Sequence, residues 1–317
     1  MAVHADKSLL ILGCDVAKDT IVIYRSDTGE LFTILNRKQS VRRFLTAFAG
    51  QHIFGICEAT GGYESLLLEE FVRLGLAVHR ADARKVKAYI RSLGIQGKTD
   101  ALDAKALADY ACERKDKLAL WLPHGENQQQ IQTLTLYRLD LVKLRSAERC
   151  RLKGPKSKAI ASAIKRHLKH LDQQIKQIEE QISGLIAQDQ CLDQTVHVMR
   201  EMPGIGPIIA NGLAALMPEI GTMTRRQVAS LVGLAPYPCD SGKLKGRRRT
   251  KGGRREVRRL LFMAALVATR HNPMLKEFYE RLKTSGKRPI VALTATMRKI
   301  IVILNAKVRD QIIKQES

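Results

Sequence analysis

The sequence predicts an α/β domain followed by two mainly helical segments, with boundaries at 1–124, 125–193 and 194–317. Three observations carry that expectation. Strand-like and helix-like stretches alternate through residues 8–124, an apolar seam recurs by fours and threes from Ile164 to Leu185, and the remainder is helical and dense in Lys and Arg.

In the first segment the strand-like runs are Leu9–Cys14, Thr20–Tyr24 and Leu31–Leu35, followed by a helix near Ser40–Phe48. A fourth strand, His52–Glu58, leads through Gly61-Gly62 into an amphipathic helix from Tyr63 to Leu74. Leu76–His79 is a fifth strand, and helices follow around Lys85–Ser92 and Asp100–Arg114. Three strands, helix, strand, helix, strand, helix is the order of the RNase H-like fold. That fold places acids at the end of its first strand, at the end of its fourth and on its last helix. Asp15, Glu58, and the pair Asp100 and Asp103 stand at those places.

Acids at two strand ends, joined by an i,i+3 pair on one helix face, can converge on a point. Converging carboxylates repel unless cations neutralise them, and hard oxygen ligands select Mg²⁺ or Mn²⁺. Two such ions about 3.5–4 Å apart clamp a phosphodiester undergoing in-line displacement. Read singly, each acid has a plainer role: Asp100 as a helix N-cap with Asp103 at its third position, Asp15 and Glu58 as solvated strand ends. The match of all four to one fold order favours the metal site.

In the second segment Ile164, Leu168, Leu171, Ile175, Ile178, Ile182 and Leu185 form an a/d seam, which predicts a coiled coil. Lys153-Gly154-Pro155 separates it from an earlier helix with a weaker seam (Leu134, Tyr137, Leu141, Leu144), so a helical hairpin and a dimer arm both fit. In the third segment Met202-Pro203-Gly204-Ile205-Gly206-Pro207 resembles a helix-hairpin-helix, in which N–H groups around Gly204 and Gly206 would meet a phosphate.

The chain of 317 residues carries 54 Lys+Arg against 31 Asp+Glu, a formal charge of +23. That balance predicts a polyanion partner. Six scattered cysteines without a CxxC pair argue against a zinc site or disulfide framework and fit a reducing cytosol. The longest apolar run, Leu260 to Ala268, is too short for a membrane span, and no secretory leader is expected. Between Lys245 and Arg255, seven residues are cationic and none acidic: Lys245, Arg247, Arg248, Arg249, Lys251, Arg254 and Arg255, with Lys243 just before them. Arg254, Arg255, Arg258 and Arg259 open a helix, where cations oppose the macrodipole at about 0.3–1 kcal/mol each. Phosphate contact supplies a reason for them. Upstream lies Asp240-Ser241-Gly242, a turn whose hydroxyl sits beside this cationic run.

Together these motifs resemble the insertion-sequence "IS one-ten" family of transposases, which includes the Piv/MooV invertases. The resemblance rests on Gly13-Cys14-Asp15-Val16-Ala17-Lys18, Cys57-Glu58-Ala59-Thr60-Gly61, Lys98-Thr99-Asp100-Ala101-Leu102-Asp103-Ala104, Pro203-Gly204-Ile205-Gly206, and Gly233-Leu234-Ala235-Pro236 followed by Ser241-Gly242. It implies a RuvC-like domain with a DEDD acid set matching Asp15, Glu58, Asp100 and Asp103, and a C-terminal transposase domain whose serine nucleophile matches Ser241. It further implies double-stranded DNA as substrate, a structured bridge RNA as guide, and assembly as dimers or tetramers. Strand exchange through a phosphoserine ester needs no ATP, and no Gly-x-x-x-x-Gly-Lys-Ser/Thr motif occurs. Two other functions fit part of the pattern: a RuvC-like nuclease resolving junctions by hydrolysis, and a non-catalytic nucleic-acid scaffold. Ser241 separates recombinase from nuclease, and the acid set argues against the scaffold.

Overall fold

The computed structural model describes residues 9–48, 50–94, 97, 99–123, 125–238, 240, 246 and 248–316. The chain divides into two compact units, 1–124 and 125–317.

The first unit is a mixed sheet with helices on both faces. Its strands are β1 (Leu10–Val16), β2 (Thr20–Arg25), β3 (Leu31–Leu35), β4 (Ile53–Glu58) and β5 (Ala77–Ala81), in the order β3-β2-β1-β4-β5. β1, β2 and β3 pair antiparallel, whereas β1–β4 and β4–β5 are parallel. Its helices are α1 (Lys38–Thr46), α2 (Ser65–Arg73), α3 (Ala83–Ser92) and α4 (Asp100–Arg114). Because side chains alternate along a strand, β1 serves two cores. Leu10, Leu12, Cys14 and Val16 pack with Val41 and Leu45 of α1 and with Leu67, Leu68 and Phe71 of α2. Ile11 packs on the other face with Phe54 and Ile56 of β4, Val86 and Tyr89 of α3, and Leu107, Ala108 and Ala111 of α4.

Gly13 faces α4 at closest approach. A Cβ there would lie 2.1 Å from the Ala104 carbonyl oxygen and 2.9 Å from the Ala108 Cβ. The Ala104–Ala108 stripe and Gly13 therefore fit as a unit. Side-chain caps start two of these helices where the chain turns in: Asp82 accepts from Arg84 N–H at 2.9 Å, and Thr99 from Leu102 N–H at 3.2 Å.

The second unit opens with α5 (Glu126–Lys153) and α6 (Lys158–Ala187). The seam of α6 turns inward: Leu171, Ile175, Ile178 and Ile182 are buried in one cluster with Ile131, Leu139 and Leu141 of α5. The ion pairs Arg138–Glu179 and Arg145–Asp172 (2.9 Å) run in opposite chain directions, so the two helices form an antiparallel hairpin within one chain. The same core continues through α7 (Gln190–Arg200), α8 (Pro207–Leu216), α9 (Arg225–Leu231), α10 (Arg255–His271), α11 (Pro273–Thr284) and α12 (Pro289–Glu316). Among the described helices α12 alone is long and apolar enough to cross a membrane, yet Ile300, Ile301 and Leu304 are fully buried in this core. Between α9 and α10, a two-residue ladder pairs β6 (Pro236–Tyr237) with β7 (Arg249–Thr250).

Candidate active site and nucleic-acid interface

The first unit puts all four predicted acids on its α3–α4 side. Asp15 lies two residues beyond Gly13, on the strand face that α4 covers, and Glu58 lies two beyond Ile56 on the same face of β4. The parallel register pairs Cys14 with Cys57, which makes Asp15 and Glu58 the next neighbours across the strands. Asp103 precedes Ala104, the residue touching the Gly13 position, and Asp100 is one turn before Ala104 on its stripe. Asp15, Glu58 and Asp103 are half-buried and Asp100 is exposed.

Thr99, not Asp100, is the N-cap of α4. Capping therefore does not account for the two aspartates, although both gain from the helix dipole in the first turn. The donor set suits a hard divalent cation in its chemistry, four carboxylates and no imidazole or thiolate. Among the described residues, however, no three His, Cys, Asp or Glu side chains form a group that could hold a metal ion. The four acids share a face of this unit without meeting as one such group. The adjacent thiols of Cys14 and Cys57 are buried in the core on the opposite face, and burial pushes both well up, with Asp15 adding to the first and Cys14 to the second.

Two residues absent from the sequence-based set hold the loops behind Asp15 and Glu58. The Asn36 amide donates to the Ala17 and Tyr63 carbonyls, each at 3.0 Å, tying the loop after β1 to the loop before α2. Glu64 is buried, and its carboxylate accepts from Gly62 N–H (2.9 Å), Thr60 N–H (3.2 Å) and the Thr60 hydroxyl (3.1 Å). Neither residue follows a recognisable motif, and Asn36 acts on partners 19 and 27 positions away.

Burial alone would raise the Glu64 pKa, but these donors outweigh it and hold the carboxyl below its ordinary value of 4.5. Glu70 behaves alike: burial pushes it up, but Arg73 and Arg42 outweigh that and hold it below its ordinary value. A folded pKa below the unfolded one stabilises the fold above the unfolded value, and that contribution vanishes as pH falls through the folded one. Thermal melts should therefore show the first unit losing stability as pH drops below about 4.5. Glu64→Gln should be less stable at neutral pH and show a flatter acid slope; an unchanged slope would remove Glu64 from the acid response.

In the second unit Gly204 has a packing role that the sequence does not display. Its φ is +103°, and a Cβ would lie 2.8 Å from the Ala268 Cβ, so glycine serves close packing of the 201–206 turn on α10. Gly206 caps α8 with nothing within 4 Å of its Cβ position, which leaves that turn open on the α8 side.

The cations before α10 also divide. Arg248, Arg249, Lys251 and Arg255 are exposed. Arg254 instead donates to the Leu216 carbonyl at 2.7 Å and to Glu219 at 2.8 Å, and Arg258 to the Val232 and Gly252 carbonyls. Internal bonds thus account for two of the four arginines at that helix start, where phosphate had been the expected reason. Ser241, Lys243, Lys245 and Arg247 lie outside the described residues. What frames them is described: the β6–β7 ladder brings the segment's ends together, and Asp240 accepts from Gly246 N–H at 3.0 Å.

Two family models match the chain. Residues 12–154 match the DEDD transposase model of the IS110 group, and residues 196–280 match "Transposase IS116/IS110/IS902 family". Over 311 residues the chain is 29% identical to the "Pilin gene-inverting protein" of Moraxella bovis, covering 94% of this chain and 95% of that protein. Over 118 residues it is 37% identical to the "Insertion element IS900 uncharacterized 42 kDa protein" of Mycobacterium paratuberculosis, covering 36% and 29% of the two chains. A 24% identity over 370 aligned positions links it to the "Insertion element IS116 uncharacterized 44.8 kDa protein" of Streptomyces clavuligerus, covering 90% of each.

Proposed function

We propose, for a chain that belongs to the IS116/IS110/IS902 transposase family and is a DNA transposase/recombinase, that Asp15, Glu58, Asp100 and Asp103 are one phosphoryl-transfer site and Ser241 its nucleophile. The observation that carries this reading is the placement of the four acids on one face of β1, β4 and α4. We read the first unit as RNase H-like, a reading supported by the β3-β2-β1-β4-β5 order with its antiparallel outer strands.

Membership of a DEDD transposase family implies a divalent metal. We assign Mg²⁺ or Mn²⁺ to the four acids; when bound, it would offset their repulsion and neutralise charge developing on the phosphoryl oxygens. The chain's own residues do the rest. Asn36 and Glu64 hold the loops after the two strands, which keeps Asp15 and Glu58 in register. The Ser241 oxygen bonds to phosphorus while the bond to one deoxyribose oxygen breaks, and that oxygen takes up a proton. Attack by a hydroxyl of another DNA end reverses the step, restores the serine and joins the strands. Bond energy is kept throughout, so no nucleotide cofactor is required.

The 201–206 turn, read as helix-hairpin-helix-like, and the exposed cations Arg248, Arg249, Lys251 and Arg255 would hold phosphates, with Lys243, Lys245 and Arg247 beside them in sequence. A charge of +23 leaves ample capacity for a guide RNA as well as duplex DNA. Work on both would take place in the cytosol or nucleoid, in a dimer or tetramer that could complete the site across subunits. By likeness to the pilin gene-inverting protein, inversion of a DNA segment is one outcome such strand exchange can have.

The test is a plasmid carrying the element's ends, its flanking DNA and any RNA transcribed from it. With Mg²⁺ or Mn²⁺ the purified protein should yield joined, recombinant product; chelation should stop the reaction and fresh cation restore it. Nicked or linear DNA without joined product would replace this reading with the hydrolytic nuclease.

A further inference from the structure

We propose that the second unit holds an unpaired stretch of DNA in an arginine-rimmed groove between α5, the 201–206 turn and α10; the inference rests on the transposase reading. The groove has a volume of about 1270 Å³, and Arg138, Arg145, Arg200, Arg255, Arg258 and Arg259 line it with no Asp or Glu among the lining residues. Small-molecule sites run to roughly 300–1,000 Å³, so the space suits an extended ligand better than a metabolite.

The cations are not all engaged within the fold. Arg138 pairs with Glu179, Arg145 with Asp172, and Arg258 binds two carbonyls. Arg200, Arg255 and Arg259 have no ion pair among the described residues. Arg145 Nε is buried without a hydrogen-bond partner, an unmet donor beside the groove. The open start of α8 at Gly206 adds backbone N–H groups to the same wall.

Between these cations the surface is apolar. Met263 is 54% exposed, Val267 41% and Ile208 43%, and all three line the groove. A paired duplex would satisfy the arginines but has no free base face to set on that floor. An unpaired strand offers both, phosphates for the rim and base faces for the floor, with Phe262 as an aromatic neighbour. Strand exchange requires DNA ends to leave one duplex and enter another, and unpaired DNA must exist between those states. DNA, not RNA, is therefore the occupant.

The test compares full-length protein on a paired duplex and on the same duplex with a four-nucleotide single-stranded gap, by fluorescence anisotropy. Wild type should bind the gapped DNA about tenfold more tightly. The double variant Met263→Gln/Val267→Thr should lose that preference, whereas Met274→Gln, on exposed α11 outside the groove, should keep it. Equal affinity of wild type for both DNAs would overturn the proposal, as would a double variant that keeps the preference or tighter binding when the exposed strand is RNA. Should the double variant melt early, 4-thiothymidine in the gap provides the readout on wild type: crosslinks to α10 support the groove, and crosslinks only elsewhere refute it. Strand exchange on intact plasmid, run in parallel, separates the two readings. Exchange without gap preference sinks the groove alone.

Discussion

Ser241→Ala is expected to abolish strand exchange, by about 10⁴-fold or more. The hydroxyl is the one group assigned to hold the DNA end covalently, and a methyl side chain can neither attack phosphorus nor keep the ester. Loss of the nucleophile should remove the protein–DNA adduct on denaturing gels while leaving noncovalent DNA binding near wild type, since the exposed cations at 248–255 are unchanged. A serine hydroxyl is a weak nucleophile until its surroundings assist it. The β6–β7 ladder brings residues 237 and 249 together, and Asp240 accepts from Gly246 N–H. An Ala variant that still joins strands would remove Ser241 from the chemistry. The DNA would then be cut by water or another group.

Gly13→Ala should be the most damaging single methyl group in the first unit. The added carbon would sit 2.1 Å from a main-chain oxygen of α4 and 2.7 Å from the Ala108 nitrogen, and main chain cannot rotate away as a side-chain tip can. Either α4 lifts from β1 or the strand bends. Overpacking of this kind costs about 1–3 kcal/mol, and the backbone contact puts this case at the upper end. Because Asp100 and Asp103 ride on α4 while Asp15 lies two residues on, the same displacement separates the acids. The variant should melt lower and also lose strand exchange at temperatures where it remains folded. Gly184→Ala, on α6 with open space around its Cβ position, should do neither. Circular-dichroism melts with the plasmid assay check both.

Much of the first unit is legible in the sequence because its signals are local. Leu31–Leu35 and Asp100–Arg114 fold over the bounds expected of them, since alternation, a cap and a run of helix formers are read within a few residues. β1 extends to Val16 because Val16 pairs with Ile21 across a tight turn, a matter of partner and not of composition. The α6 seam marks a helix that packs on an apolar stripe, but that its partner is α5 rests on pairings such as Arg138–Glu179 and Arg145–Asp172, which no single helix displays. The same divide runs through the site. Period-two alternation is enough to put Asp15 and Glu58 on one face, whereas the Asn36 clasp and the Arg254–Glu219 pair join residues far apart in the chain. Gly204 shows a further gap: its close packing on Ala268 is set by a neighbour 64 positions away and cannot be read from the glycine motif itself.

On the reading proposed above, the four carboxylates work as one site. Residues that act as a unit are grossly non-additive, so the direct measurement is strand exchange by the single variants Asp15→Asn, Glu58→Gln, Asp100→Asn and Asp103→Asn beside the quadruple variant. Each single variant should lose nearly as much activity as the quadruple, with DNA binding retained. Losses that instead multiply independently toward the quadruple value, or any one variant working at near wild-type rate, would contradict a shared site.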